Sequence, residues 1–206
     1  MAPPAQAFRL SQMSHKTWTA RDGAPQGISS LALSPDGTLW IGAEGGLSIF
    51  DGRTFEPFRP LPGEPDIPAG PIRTMTVARD GAMWVDTMKG CARIADGHTT
   101  LFSEADGQPL GTILMMRAAS DGSVWASSRN VLVRFDADGT AHRQPTPVPT
   151  STGRIGGIFI DASDTLWVGR GGTVQAAASR RGLRRDRDRR GLYFLHSTRS
   201  PTGRSG

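Results

Sequence analysis

Four tryptophans, Trp40, Trp84, Trp125 and Trp167, set a common frame for the apolar positions of this chain. The residue nine before each is Leu31, Met75, Met116 or Ile158, and the residue seven before is Leu33, Val77, Ala118 or Ile160. Apolar residues two apart, four times in phase, predict one buried face of a strand. Asp-Gly then follows at Asp36-Gly37, Asp80-Gly81 and Asp121-Gly122, the dipeptide suited to a tight turn that needs a positive φ. In the fourth repeat Asp164 stands where Gly is expected; Asp enters the left-handed region more readily than most residues, so the turn is expected to survive.

A second strand carries each Trp between apolar neighbours: Leu39/Ile41, Met83/Val85, Val124/Ala126 and Leu166/Val168. Short polar or Gly-containing turns come next (Glu44–Gly46, Lys89-Gly90, Arg129-Asn130). Phe50, Ile94 and Phe135, ten residues after three of the Trp, close a third strand. Further turns at Asp51-Gly52, Asp96-Gly97 and Asp138-Gly139 lead to a weaker fourth strand: TFEPF, HTTLF, then a poor TAHRQ. The tryptophans lie 44, 41 and 42 residues apart, and nothing sustains a helical period. Four antiparallel strands in about 42 residues is the unit of a β-propeller blade. The fold class expected is therefore all-β: propeller repeats of four-stranded antiparallel blades over 15–172, incomplete at about four blades. Residues 15–23 align with the end of a blade, 99–107, which makes them an orphan fourth strand with Trp18 as its outer aromatic. In a closed ring such a strand completes the last blade.

The repeats at 15–58 resemble the opening of the two-component regulator propeller family, the periplasmic sensor regions of bacterial hybrid histidine kinases and of related histidine kinases and diguanylate cyclases. The resemblance runs from residue 15 to about 172. It is carried by W-T-x-x-D-G at Trp18 to Gly23, D-G-x-L-W-I-G at Asp36 to Gly42 and G-L-x-x-F-D-G at Gly46 to Gly52. It implies a structural role for Trp18, Asp36, Gly37, Trp40, Asp80, Gly81, Trp84, Asp121, Gly122, Trp125 and Trp167. It also implies a sensor that binds a small molecule, sometimes a saccharide, or moves against the partner subunit of a sensor dimer. Signal transduction would then pass through a membrane helix to a phosphorelay enzyme. The chain departs from the family in having about four blades rather than one or two full rings, with no transmembrane helix or kinase module. Taken as a fragment of a histidine kinase sensor, it is expected to be non-enzymatic, to need no cofactor or metal, and to work in the periplasm in its parent protein. Residues 1–14 form a tail in which Ala5-Gln6-Ala7 shows the small-x-small pattern of a signal-peptidase site. Its alternatives are a remnant of an export signal and a plain Ala/Pro tail.

Net charge changes the picture only when it is divided. The formal +5 combines 15 basic against 17 acidic residues in 1–173 with 9 Arg against 2 Asp in 174–206. Residues 173–206 are thus set apart as an Arg-rich, disordered tail whose composition suits GC-rich DNA read out of frame. An Arg-rich arm that binds phosphate is the alternative. No aromatic interleaves its RRGLRRDRDRRG core, and no nucleic-acid partner is expected. With its third and fourth strands replaced, blade four is expected to lack its outer pair. An open arc with uncovered edges is expected to self-associate.

Candidate chemistry is sparse. His15, His98, His142 and His196 show no ligand spacing. Cys91 begins a predicted third strand and is expected to pack as a small apolar residue. Asp136, Asp138 and Gly139 make only half of a calcium loop, and the glycines at 153–157 and 169–172 match no phosphate loop, so all are expected to be turns. Site reasoning is geometric: connectors 21–27, 60–71, 104–111 and 143–154 should share one face with the tips at Glu44, Lys89, Arg129 and Arg170. Three basic tips and one acidic one suit an anionic or polyhydroxylated small-molecule ligand, with a plain solvated rim as the simpler reading. A streptogramin-lyase-like propeller enzyme is the main alternative, and a secreted propeller lectin or scaffold the third. The lyase chemistry needs a His near the channel, whereas His98 and His142 fall at outer-strand positions.

Overall fold

A computed structural model describes residues 15–129, 131–144, 154–170, 173–178 and 193–195. Apart from one short 3-10 turn, Ala20–Asp22, the elements among the described residues are strands. The first sheet runs β1 (Ser30–Leu33), β2 (Leu39–Ala43), β3 (Gly46–Phe50), β4 (Phe55–Pro57). The second runs β5 (Met75–Val77), β6 (Met83–Thr87), β7 (Gly90–Ala95), β8 (His98–Phe102). A small hairpin, β9 (Glu104–Ala105) with β10 (Gln108–Pro109), precedes the third sheet of β11 (Ile113–Ala118), β12 (Val124–Ser128), β13 (Val131–Phe135) and β14 (Ala141–Gln144). The fourth sheet contains β15 (Ile155–Ile160), β16 (Leu166–Arg170), β17 (Thr173–Ala178) and β18 (Tyr193–Leu195). Every neighbouring pair is antiparallel and in sequence order, the meander of a propeller blade.

Turn chemistry explains why the chain reverses where it does. Gly37, Gly81 and Gly122 adopt φ of +88°, +86° and +88°, and Asp164 takes φ +59° at the same place, as expected for Asp substituting in the left-handed region. The expected turn at Asp96-Gly97 has both residues at positive φ, the geometry of a tight hairpin loop. These first turns also touch each other across blades. Arg79 donates to the Ser120 carbonyl, and the Ser120 backbone N–H reaches Asp164 Oδ1 at 2.9 Å.

Strand register gives each blade two faces. In the second blade Met75, Met83, Val85, Ala92 and Ile94 pack with Leu47, Trp40 and Ala32 of the first. The opposite face, with Trp84 and Cys91, packs with Met116, Val124, Val133 and Phe135 of the third. Trp125 and Leu132 then cover Ile158, Leu166 and Val168 of the fourth. Each of the first three blades therefore lays its Trp face on the following blade's apolar alternation, and three such junctions form the core.

Three expectations are corrected. Leu31 and Leu33, read as a buried face, are 59% and 65% exposed, because no described blade lies against that side of β1. The expected orphan strand is not formed: residues 15–19 carry no strand, and among the described residues each blade's third strand pairs with its own fourth. Trp18 instead meets Phe50 edge-on, with centroids 4.9 Å apart, and carries Lys16 Nζ 4.8 Å above its ring. Blade four does have its outer pair. Strand β17 begins at Thr173, directly past the expected limit, and pairs with β16 from Arg170↔Thr173 to Leu166↔Ala177. Strand pairing is made by backbone groups, so the loss of the sequence pattern did not abolish it. The rest of the expected tail, the 1–14 segment and His196 lie outside the described residues.

Candidate functional site

In a meander of this direction the second-to-third-strand turns and the connectors between blades sit at the same end. The structure places Glu44, Lys89 and Arg129 there, each exposed on such a turn. Each turn is held by the lead-in to the next blade. Ile72 N–H donates to the Ala43 carbonyl at 3.1 Å, Thr112 Oγ1 to Met88 at 3.3 Å, and Ile155 N–H to Arg129 at 2.8 Å. The Glu44 side chain lies against Gly27, where a Cβ would meet its Cγ at 2.5 Å, so this tip packs on the 21–27 segment.

Arg170 is the correction among the tips: its residue is only 2% exposed. It stands three residues after Trp167, the position filled by the buried Ala43, Thr87 and Ser128 in the other blades. That place is the end of the second strand rather than its turn. The spacing from Trp was the signal that could have shown this, since Glu44 and Arg129 stand four residues after theirs.

The Pro-rich connector after the first blade builds a concavity. A groove of about 480 Å³ forms between Gly45–Leu47 on one side and the connector on the other, with Phe58, Arg59, Asp66, Ile67 and Gly70 among its walls. Local backbone chemistry shapes it. Prolines at 57, 60, 65 and 68 restrict φ and remove donors, and Gly70 takes φ +144° against the Met88 side chain. Ser29 Oγ donates to the Ile72 carbonyl at 2.6 Å, and Phe58 N–H donates to Leu47 at 2.9 Å, fixing both ends of the connector. The groove thus offers apolar walls with one exposed cation and one exposed anion.

The same connector and the β9–β10 hairpin clamp outer strands. Glu64 accepts from Thr99 N–H at 3.1 Å and meets His98 Nδ1 at 2.7 Å. Asp106, in the β9–β10 hairpin, accepts from Arg143 N–H at 2.8 Å and meets His142 Nδ1 at 3.2 Å. These contacts hold the Glu64 and Asp106 carboxyls below the usual carboxylate range. His98 and His142 therefore lie on the outermost strands of their blades, as their sequence positions indicate. The 143–154 connector lies largely outside the described residues.

One buried acid was not singled out by sequence reasoning. Asp86, two residues after Trp84, is fully buried; its Oδ1 accepts from Arg73 N–H at 2.7 Å and Thr74 N–H at 3.1 Å, while Oδ2 has no partner. Burial pushes its pKa up. The other blades carry Gly42, Ser127 and Gly169 at this position, and that departure was the available signal. Cys91, opposite Asp86 in the ladder, is buried, and both desolvation and the Asp86 charge push its thiol up. Among the described residues no group of three or more His, Cys, Asp or Glu is placed to hold a metal ion. No helix among them is long and apolar enough to cross a membrane.

No family model matches the chain, and no curated protein matches it significantly in sequence. Solved structures do match in shape. Virginiamycin B lyase from Staphylococcus aureus, in a catalytically inactive form with quinupristin, superposes with a TM-score of 0.60 at 20% identity, over 85% of this chain and 56% of the lyase. The selenomethionine form of that lyase gives 0.57 at 22% identity, over 72% and 51%. The extracellular domain of a hybrid two component system from B. thetaiotaomicron gives 0.53 at 23% identity, over 71% of this chain and 19% of that one. The chain spans about half the length of the lyase and a fifth of the sensor domain. At these identities the similarity establishes the fold alone: the chain is built of β-propeller blades, a scaffold shared by that lyase and by that extracellular domain.

Proposed function

We propose that this chain is the ligand-binding part of a bacterial two-component sensor, acting outside the cytoplasm and without catalysis of its own. The observation that carries the reading is the groove between Gly45–Leu47 and the 58–72 connector, at the end of the blades where Glu44, Lys89 and Arg129 are exposed. Apolar walls with Arg59 and Asp66 beside them suit a polyhydroxylated ligand, with sugar faces on the Pro and Phe surfaces and hydroxyls or an acid group on the charged pair. The motif resemblance at 15–58 supports the same assignment, and the extracellular sensor domain similar in fold is consistent with it.

Titrating the chain with neutral and anionic oligosaccharides by calorimetry tests the reading. Binding should weaken about tenfold in Arg59→Ala or Asp66→Ala. Binding that ignores both substitutions would remove the groove from the argument.

The lyase-like reading makes a different demand. It needs a general base in a reactive position, whereas His98 and His142 are engaged with Glu64 and Asp106 on outer strands. Metal-dependent opening of a streptogramin lactone, lost on substituting either histidine, would replace the sensor reading with an enzymatic one.

A further inference from the structure

The groove is walled by 57–60 and 66–70, two stretches of one connector that part and rejoin around 61–65. Whatever holds that middle part therefore sets how the two walls stand. It is bracketed onto the β7–β8 turn and the start of β8. Leu61 N–H donates to the Gly97 carbonyl at 3.4 Å, and a Cβ on Gly97 would meet Leu61 Cδ1 at 2.8 Å. Glu64 N–H donates to the Leu61 carbonyl at 3.0 Å, closing a turn that brings the Glu64 carboxylate against β8. There Oε2 accepts from Thr99 N–H at 3.1 Å, and Oε1 meets His98 Nδ1 at 2.7 Å. The bond to Gly97 is long and Leu61 is 47% exposed, so the carboxylate makes the firmest contacts of the bracket.

The same clamp occurs a second time. Asp106 Oδ2 accepts from Arg143 N–H at 2.8 Å, and Oδ1 meets His142 Nδ1 at 3.2 Å. In both places a histidine of the outermost strand and the amide of the next residue share one carboxylate, supplied by the segment that precedes the blade. Histidine is the side chain whose charge ordinarily changes between about pH 5 and 8. The imidazolium always carries a proton on Nδ1, whereas the neutral ring carries one there in only one of its two tautomers. Protonation thus adds an ion pair and fixes the donor.

His98 and Glu64 are left to each other by the charges around them. Strand β8 has no other ionisable side chain, and Arg93 of β7 is paired with Asp80. No ion pair or hydrogen bond joins Asp96 of the β7–β8 turn, or Arg59 and Asp66 of the connector, to either member. His142 is more crowded: its Nε2 is 3.8 Å from Asp136, and Asp138 lies within reach of its charge.

From this we propose that the His98–Glu64 pair is a pH-sensitive latch on the groove: protonated His98 holds the 58–72 connector in its binding shape, and loss of that proton loosens it. Glu64 stays ionised throughout, because the bonds from His98 and Thr99 hold its carboxyl below the usual carboxylate range, so the histidine is the group that switches. The groove is then better ordered in mildly acidic solution than above neutrality, and its ligand binds more tightly there. The effect on affinity rests on the ligand reading of the groove; the loosening of the connector does not.

Hydrogen exchange of the whole chain from about pH 5.5 to 8, expressed as protection relative to each amide's intrinsic rate, tests the latch without a ligand. Protection at Thr99, Leu61 and Glu64 is expected to fall about threefold across that range, the scale of an exposed ion pair. Phe58 and Ile72, bonded to the first blade at the two ends of the connector, should stay level. His98→Gln should be flat at the low value and His98→Lys flat at the high one; the side chain is 67% exposed, so both variants should fold. Protection in wild type that ignores pH overturns the proposal, as does a change that persists in His98→Gln. A change at Thr99 with Leu61 and Glu64 level overturns the hold on the connector. Calorimetry with the same neutral and anionic oligosaccharides separates the two readings. Binding that is equally tight at both ends of the pH range overturns the regulation, whereas pH-dependent exchange without any binding removes the ligand reading and supports the latch.

Discussion

The indole of Trp84 lies 4.9 Å from the ring of Phe135 across the boundary between the second and third blades, tilted at 45°. Contacts of this kind join the hydrogen bonds between blades, such as Ser120 N–H to Asp164, in holding one blade to the next. Removing the Trp84 side chain leaves a cavity among Phe102, Phe135 and Val124, so Trp84→Ala is expected to cost about 3–5 kcal/mol. Trp167 makes one exposed hydrogen bond, from Nε1 to Asp161 at 2.8 Å, and Trp167→Ala should cost about 1 kcal/mol or less. Urea unfolding at low protein concentration measures both; equal losses would mean that the blades are not joined through their Trp faces.

Gly90 and Gly37 both have positive φ but differ in surroundings. A Cβ on Gly90 would lie 1.9 Å from the Phe102 carbonyl oxygen, whereas one on Gly37 meets nothing within 4 Å. Gly37→Ala bears only backbone strain, about 1–2 kcal/mol. Gly90→Ala must also push β7 from the β8 end, and should lose more than about 3 kcal/mol or fail to fold. Melting temperatures of the two variants give the comparison.

Asp86 sets an unusual pH dependence. Its pKa is raised in the folded chain, so its contribution is favourable below the ordinary carboxylate range and is lost as pH rises through the folded value. Asp86→Asn keeps an acceptor for the Arg73 and Thr74 amides and removes the charge. The variant should gain stability relative to wild type as pH rises from acid to neutral, by about 1 kcal/mol or more at pH 7. A stability difference that stays flat across pH would show that Asp86 is solvated. The Cys91 thiol should meanwhile resist thiol reagents until the chain unfolds.

Glu64 and Asp106 tie connectors to the outer strands of the following blades. Glu64→Ala should speed hydrogen exchange at Thr99, and Asp106→Ala at Arg143, leaving the inner strands β5 and β11 unchanged. Exchange that rises equally in every strand would mean that the clamps support the whole fold rather than its rim.

The repeat spacing made the blades legible from sequence, because a strand buried on both faces and a turn at positive φ leave local signatures. Gly37, Gly81, Gly122 and even Asp164 could be assigned their turns from the dipeptide and its distance to Trp alone. The groove was only half legible. The connector at 60–71 stood out by its prolines, but its partner Gly45–Leu47 is brought to it by the sheet, as is the pairing of Glu64 with His98, 34 residues away. Arg170 was misplaced because its burial depends on where β16 ends, one residue earlier in the repeat than Glu44 and Arg129 and two earlier than Lys89.

By itself, then, the sequence determined which residues face inward, where each blade reverses and which tryptophan belongs to each blade, since period two and turn geometry are encoded within a few neighbouring positions. Which inward faces are covered was decided only by the tertiary structure. Leu33 and Val77 occupy the same place in their repeats, yet one is exposed and the other packs beneath the preceding blade, because burial needs a surface that only another blade supplies.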